Sequence, residues 1–270
     1  MTRSTFVETR DGHLLAYRDE GSGPPVVFIH GWSLSGAIWQ PQLEFLVANG
    51  HRVIVYDRRG HGHSARAATG YDYDTLSDDL AAVLAHTGVS DATLVAHSMA
   101  SGEAVRYFSR HRGKRISRIL FVAPTTPFAL RTADNPDGVP GEVWDGMVAA
   151  LQADRKAYLT NGAPSLVGPN ATAETTRWAL DMALQAASEA LVQCMRAFTA
   201  TDFRSEMAAI GVPSLILYGT GDLPMIASNA ARTSAAIAGS RVDAYEGAPH
   251  GIFITDRERF DADLLRFARS

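Results

Sequence analysis

The sequence predicts an α/β fold: a mostly parallel central sheet with helices on both faces and an inserted helical cap. Three observations carry this expectation. Short apolar runs alternate with amphipathic stretches along most of the 270 residues, the rhythm of buried strands and the helices that cover them. The 46% hydrophobic content suffices to cover both faces of a buried sheet. One long stretch, from about Pro127 to Ala209, breaks the rhythm and turns wholly helical.

Taken in order, Phe6 to Arg18 alternates apolar and polar residues around Asp11-Gly12, the pattern of an antiparallel edge hairpin. Val26-Val27-Phe28-Ile29, after Gly23-Pro24-Pro25, reads as a buried strand. Arg52–Tyr56, Ala92–Ala96, Ile119–Val122 and Ser214–Tyr218 repeat the pattern, and Arg241–Tyr245 closes it. A helix opens near Asp74 with Leu76, Leu80, Val83 and Leu84 on one face. Another runs from Met99 towards Arg112 with Val105 and Phe108 inward. The interrupted stretch begins with Pro, Gly, Asn and Asp between 132 and 141 and then carries Trp144, Met147, Tyr158, Trp178, Met182 and Phe198. We read residues 127–209 as a cap over the sheet's C-terminal edge, where open α/β sheets bind ligands, and residues 1–126 with 210–270 as the core.

Composition narrows the function. Twenty-five basic against 29 acidic residues give a net charge of −4 with no basic stripe, which disfavours a nucleic-acid partner. No apolar run approaches the roughly 18 residues that span a bilayer, so no membrane partner is expected. Met1-Thr2-Arg3-Ser4-Thr5-Phe6 lacks the apolar core of a secretory leader. A single cysteine, Cys194, rules out an intrachain disulfide and fits a cytoplasmic protein. It reads as a small apolar filler in a helix. A homo-oligomer is compatible with all of this.

The chemistry centres on Ala96-His97-Ser98-Met99-Ala100, between a strand and a helix. A serine on so sharp a strand-to-helix turn projects its hydroxyl above the sheet, and the residues two before and two after must be small. Here they are Ala96 and Ala100, where glycine is usual. Only two histidines follow the turn. His111, in Ser109-Arg110-His111-Arg112-Gly113, sits at a polar helix end, where positive charge suits the helix dipole. His250, in Gly247-Ala248-Pro249-His250-Gly251, occupies a loop after a strand, as a general base requires. The acid should end an intervening strand, and Gly219-Thr220-Gly221-Asp222 does so. The end of the preceding strand, Ala123-Pro124-Thr125-Thr126, holds no carboxylate, and Asp243 and Glu246 lie too close in sequence to His250. The candidates are therefore Ser98 as nucleophile, His250 as base and Asp222 as the acid that orients it.

Strand Val26–Ile29 runs into His30-Gly31-Trp32-Ser33, where a sharp turn on Gly31 would aim the Trp32 N–H at the serine, with the Met99 N–H as second donor. Trp39 reads as core. His61-Gly62-His63 reads as a loop after a strand, because zinc needs three or four ligands, so neither metal nor cofactor is expected. Asp57-Arg58-Arg59 reads as an ion-pair and turn cluster, Glu103 as support one helical turn beyond the serine, and His97 as structural. Met99, Trp144, Trp178 and Met182 are the candidates to line an apolar acyl pocket, with core packing an equally good account of them.

With these pieces assembled, the chain resembles the α/β-hydrolase family of cofactor-free haloperoxidases, perhydrolases and arylesterases over nearly its whole length. The matching motifs are His30-Gly31-Trp32, Tyr56-Asp57-Arg58-Arg59-Gly60-His61-Gly62-His63-Ser64, Ala96-His97-Ser98-Met99-Ala100, Gly219-Thr220-Gly221-Asp222 and Gly247-Ala248-Pro249-His250-Gly251. The stretch from Gly138 to Gly146 is similar too. The resemblance implies an oxyanion hole from the Trp32 and Met99 N–H groups and an acyl-enzyme resolved by water or peroxide. Three positions depart from the family: the elbow alanines, Ser33 where perhydrolase-leaning relatives often carry proline, and Thr220 where many carry another aspartate.

The expectation is a serine hydrolase acting on a small to medium, largely apolar ester or lactone. Alternatives keep the same triad for perhydrolysis and indirect halogenation, or for cleavage of a C–C bond or an amide. A slow-turnover receptor on the same fold is the rival that the complete triad argues against. A serine in place of an aspartate nucleophile disfavours haloalkane dehalogenase and epoxide hydrolase.

Overall fold

The computed structural model describes residues 5–270; residues 1–4, most of the stretch read as lacking a leader, lie outside the described residues. In chain order the elements are β1 (Thr5–Glu8), β2 (Leu14–Gly21), β3 (Pro25–Ile29), α1 (Gln40–Ala48), β4 (Arg52–Tyr56), α2 (Tyr73–His86), β5 (Ala92–His97), α3 (Ala100–His111) and β6 (Ile116–Val122). After them come α4 (Gly141–Ala153), α5 (Arg155–Val167), α6 (Ala173–Gln185), α7 (Ser188–Ala200), β7 (Ser214–Gly219), α8 (Pro224–Ala236), β8 (Arg241–Tyr245), α9 (Ile252–Thr255) and α10 (Arg257–Ala268).

Among the described residues these strands form one eight-stranded sheet in the order β1-β2-β4-β3-β5-β6-β7-β8. The hairpin β1–β2 is antiparallel and adds to β4, whereas β4 through β8 run parallel. Every residue of β5 is buried, because helices cover both faces of the central strands. One face packs Leu94 and Ala96 against α2 and α3; the other packs Val95 and Phe28 with Trp39, Phe253 and Phe260. Trp39 is core, fully buried and in contact with the Phe253 ring at a centroid distance of 4.2 Å.

Local chemistry sets the helix ends. The α2 helix starts one residue before the expected Asp74, because the Asp72 side chain accepts from the Thr75 N–H and caps it. The α3 helix stops at Arg112, which turns left-handed (φ 59°) ahead of Gly113. His111 at this end pairs with Asp78 at 2.7 Å.

The helices α4 to α7 all enter between β6 and β7. They share a core of Val148, Leu151, Leu159, Leu191 and Met195. Backbone bonds fasten this insertion to the body: Ala187 N–H to Gly60 O (2.7 Å) and Gly251 N–H to Leu166 O (2.7 Å). No helix among the described residues is long and apolar enough to cross a membrane.

Candidate active site

The strand β5 ends at His97 and α3 begins at Ala100, so Ser98 and Met99 must reverse the chain in two residues. Ser98 takes the strain at φ 57°, a left-handed conformation that costs an ordinary residue about 1–2 kcal/mol. The turn is held by the Ser98 N–H donating to Val122 O at 2.8 Å. Ser98 is 7% exposed.

Asp222 follows β7, and His250 follows β8, its neighbour in the sheet. Two glycines let the loops touch: a Cβ on Gly219 would lie 2.0 Å from Ala248 O, and one on Gly221 would lie 2.6 Å from Gly247 O. The Gly221 N–H donates to Ala248 O (3.0 Å), and the Thr220 hydroxyl accepts from the Gly247 N–H (2.7 Å). Thr220, one of the departures, thus ties the acid loop to the histidine loop. The result is a short bond, His250 Nδ1 to Asp222 Oδ2 at 2.5 Å, with the Leu223 N–H donating to the other carboxylate oxygen at 2.6 Å. The hydrogen bonds formed among the described residues include this contact but not one between Ser98 and His250, a contact that often tightens only around substrate.

The Trp32 loop differs from the expected turn on Gly31. The left-handed residue is Ser33 (φ 63°), and Gly31 is needed for space, since a Cβ there would lie 2.5 Å from His97 Nδ1. Neither the Trp32 nor the Met99 N–H has a backbone acceptor among the described residues. Arg58 fixes the loop from beneath, its Nη2 donating to His30 O (2.7 Å) and its Nε to Glu103 Oε1 (2.6 Å). Both charged side chains are at most 1% exposed, so the pair joins this loop to α3 through the core. Arg59 pairs with Asp79 at 2.7 Å, completing the cluster read from the sequence.

Burial, with His250 beside it, holds the His97 imidazole well below its ordinary range. The two rings lie 4.7 Å apart. Cys194 is buried on α7, with its thiol pushed up to about 12 by burial. No cluster of three or more His, Cys, Asp or Glu among the described residues could hold a metal ion.

Ser98, His250, Asp222 and Trp32 open onto one cavity of about 280 Å³. Its walls include Trp144 and Met147 of α4, Tyr158 and Leu166 of α5, and Met195 and Phe198 of α7. Met225 and Ile226, in the first turn of α8, complete an apolar side. Trp144 both lines the cavity and packs in a buried cluster with Ala129, Met225 and Ile226, edge-on to Phe198 at 5.5 Å. Trp178 and Met182 do not reach the cavity: α6 turns them towards the cluster of Leu34, Ile38 and Trp39. The Met99 side chain points into the core under the elbow.

A model of the alpha/beta hydrolase fold family matches residues 24–257. The chain belongs to that family. This alpha/beta hydrolase is 39% identical over 267 residues to a non-heme chloroperoxidase of Kitasatospora aureofaciens, covering 96% of the chain and 97% of the relative. It is 33% identical to a bifunctional esterase/perhydrolase of Acinetobacter calcoaceticus, covering 98% and 99% of the two chains. Among solved structures it is similar to a bromoperoxidase from Bacillus anthracis, with a TM-score of 0.95 and 32% identity over 99% of this chain and all of that one. A hydrolase fold and such relatives make the chain an enzyme, one that resembles non-heme haloperoxidases and esterases.

Several cavity residues gave no separate signal in the sequence. Met195 and Phe198 sit on a helix whose other face is core, and periodicity does not tell a core-facing stripe from a cavity-facing one. Met225 and Ile226 were more accessible, because the residues that follow a strand-end acid start the next helix at the same sheet edge.

Proposed function

We propose that this alpha/beta hydrolase cleaves small to medium, largely apolar carboxylic esters or lactones through an acyl-enzyme on Ser98. The observation that carries the reading is the convergence of Ser98, the Asp222–His250 pair and Trp32 on one apolar cavity, with the Trp32 and Met99 N–H groups bonded to no backbone acceptor among the described residues. His250 takes the Ser98 proton as Oγ attacks the ester carbonyl, and the Trp32 and Met99 N–H groups hold the oxyanion. The proton passes to the leaving alcohol, and His250 then activates water to release the acid. Asp222 fixes the imidazole tautomer and stabilises the imidazolium without taking the proton. Among the described residues the cavity walls carry no Lys, Arg or Glu, and no Asp besides Asp222, which favours a neutral acyl group.

Peroxide in place of water is the second reading, favoured by the relatives named for haloperoxidase or perhydrolase activity. It uses the same residues. Ser33 has a φ of 63°, which is closed to proline, so the loop here takes a path that a proline-bearing loop cannot.

The test is intact-mass analysis after treatment with an activated phosphonate, on the native chain and on Ser98→Ala and His250→Ala. A single adduct on Ser98, absent from both variants, supports the reading and directs an ester and lactone screen with and without peroxide. A folded native chain that takes no adduct would refute it.

A further inference from the structure

Ser101, which the catalytic scheme does not use, sits in the first turn of α3 and is fully buried. Its hydroxyl donates to Ser98 O at 2.7 Å. It also accepts from the Thr125 N–H at 3.1 Å and from the Thr126 N–H at 3.3 Å. One proton given and two lone pairs taken fill a hydroxyl's capacity, and the Thr125 hydroxyl lies beside it at 3.4 Å. A helix serine often bonds the carbonyl three residues back, and that alone would be unremarked. The two N–H groups arriving from the loop after β6 make it a junction between segments. That loop is anchored in turn, because Asn229 of α8 donates to Thr125 O at 2.8 Å.

The carbonyl that Ser101 holds belongs to the Ser98–Met99 peptide, whose N–H is the Met99 N–H. A trans peptide is planar, with C=O and N–H pointing in opposite directions. Holding the oxygen on one side therefore sets the direction of the N–H on the other. The following carbonyl, Met99 O, is held as well, by the Tyr73 hydroxyl at 2.9 Å. A bond accepted at the carbonyl also polarises the peptide and strengthens its N–H as a donor.

We infer that Ser101 is a positioning residue that aims the Met99 N–H at the oxyanion, so that the loop after β6 and helix α8 brace the oxyanion hole chiefly through its hydroxyl, the Thr125 hydroxyl reaching Ser98 O only at 3.5 Å. The inference rests on the Ser98 mechanism proposed above. Removing a whole oxyanion donor costs about 10²–10³ in rate. Ser101→Ala keeps the Met99 N–H, and the Ser101 N–H still reaches Ser98 O at 3.0 Å, so about a 10-fold loss is expected.

The experiment compares the native chain, Ser101→Ala, Ser101→Cys and Ser98→Ala on a soluble aryl ester, with phenylboronic acid as a probe that forms a tetrahedral adduct on an activated serine. Ser101→Ala should lower kcat about 10-fold with KM within about twofold, and weaken boronate inhibition by the same factor. Ser101→Cys keeps a side-chain donor, bulkier and poorer than the hydroxyl, and should fall between; it decides the question if alanine prevents folding. Unchanged kcat in a folded variant, or a kcat loss with undiminished boronate affinity, would overturn the inference. Turnover that survives Ser98→Ala would instead sink the serine mechanism, whatever the Ser101 variants do.

Discussion

His61 offers a measurement of burial that does not depend on catalysis. It lies in the loop after β4, fully buried, with Nδ1 bonded to Arg59 O at 2.9 Å and Nε2 without a partner among the described residues. Burial, followed by the Arg58 charge, lowers its pKa from 6.5 to about 3. The unfolded chain thus binds a proton near 6.5 that the folded chain refuses until about pH 3. The stability this represents is present above the unfolded pKa and is lost as pH falls below it. Between about pH 7.5 and about pH 5.5 the loss comes to about 1.4 kcal/mol, or about 3–6 °C in Tm for a chain of this size. Glu103 acts in the opposite sense over the same range, since burial raises it to about 7. The difference between two chains is therefore more telling than either curve alone. His61→Asn keeps a donor for Arg59 O and removes the titration, so its cavity cost is the same at every pH. Urea unfolding followed by circular dichroism should show the stability gap between the native chain and His61→Asn narrowing by about 1.4 kcal/mol over that range. Parallel curves would mean that His61 is hydrated or protonated in the folded state, and the argument from burial would fall.

The remaining expectations are shorter. Asp222→Asn should leave the fold intact and lower kcat by about 10⁴, because the wrong imidazole tautomer then faces Ser98; steady-state kinetics on an aryl ester would show it. Glu103→Leu leaves the Arg58 charge buried and unpaired, at a cost of about 3–5 kcal/mol, read as a fall of about 6–20 °C in calorimetry. Trp144→Ala removes an indole from the cavity wall and should move the optimum of kcat/KM towards longer acyl chains in a series from acetate to octanoate. A preference unchanged along that series would take Trp144 out of the acyl site.

Those expectations stand on a fold whose strands were legible because each crosses the core as a short apolar run, and β3 and β5 lie where their composition puts them. The Asp222–His250 pair was legible because the parallel order of the sheet forces strand-end loops to one edge, and β7 and β8 are neighbours there. The cavity was legible only in part. Trp178 and Met182 share one face of α6, and a sequence shows that the face is apolar without showing what it meets. It meets Trp39 and its neighbours. The Ser101 junction was not legible at all, since its partners Thr125 and Thr126 are brought to it by the pairing of β5 with β6.

The elbow alanines show what those positions require. Neither Ala96 nor Ala100 has a positive φ among the described residues; both are fully buried between strand and helix. What is required there is smallness, and a methyl group still fits. The left-handed strain falls instead on Ser98 (φ 57°) and on Ala123 (φ 47°), the residue after β6. Strain of about 1–2 kcal/mol at each site persists only where surrounding bonds over-determine the conformation. They do so here: the Ser98 N–H is held by Val122 O, the Ala123 N–H by Leu217 O, and Ser98 O by Ser101. A glycine at 96 or 100 would add backbone freedom without relieving either strained residue, so restoring glycine at these positions should loosen the turn and leave the aim of Ser98 unimproved.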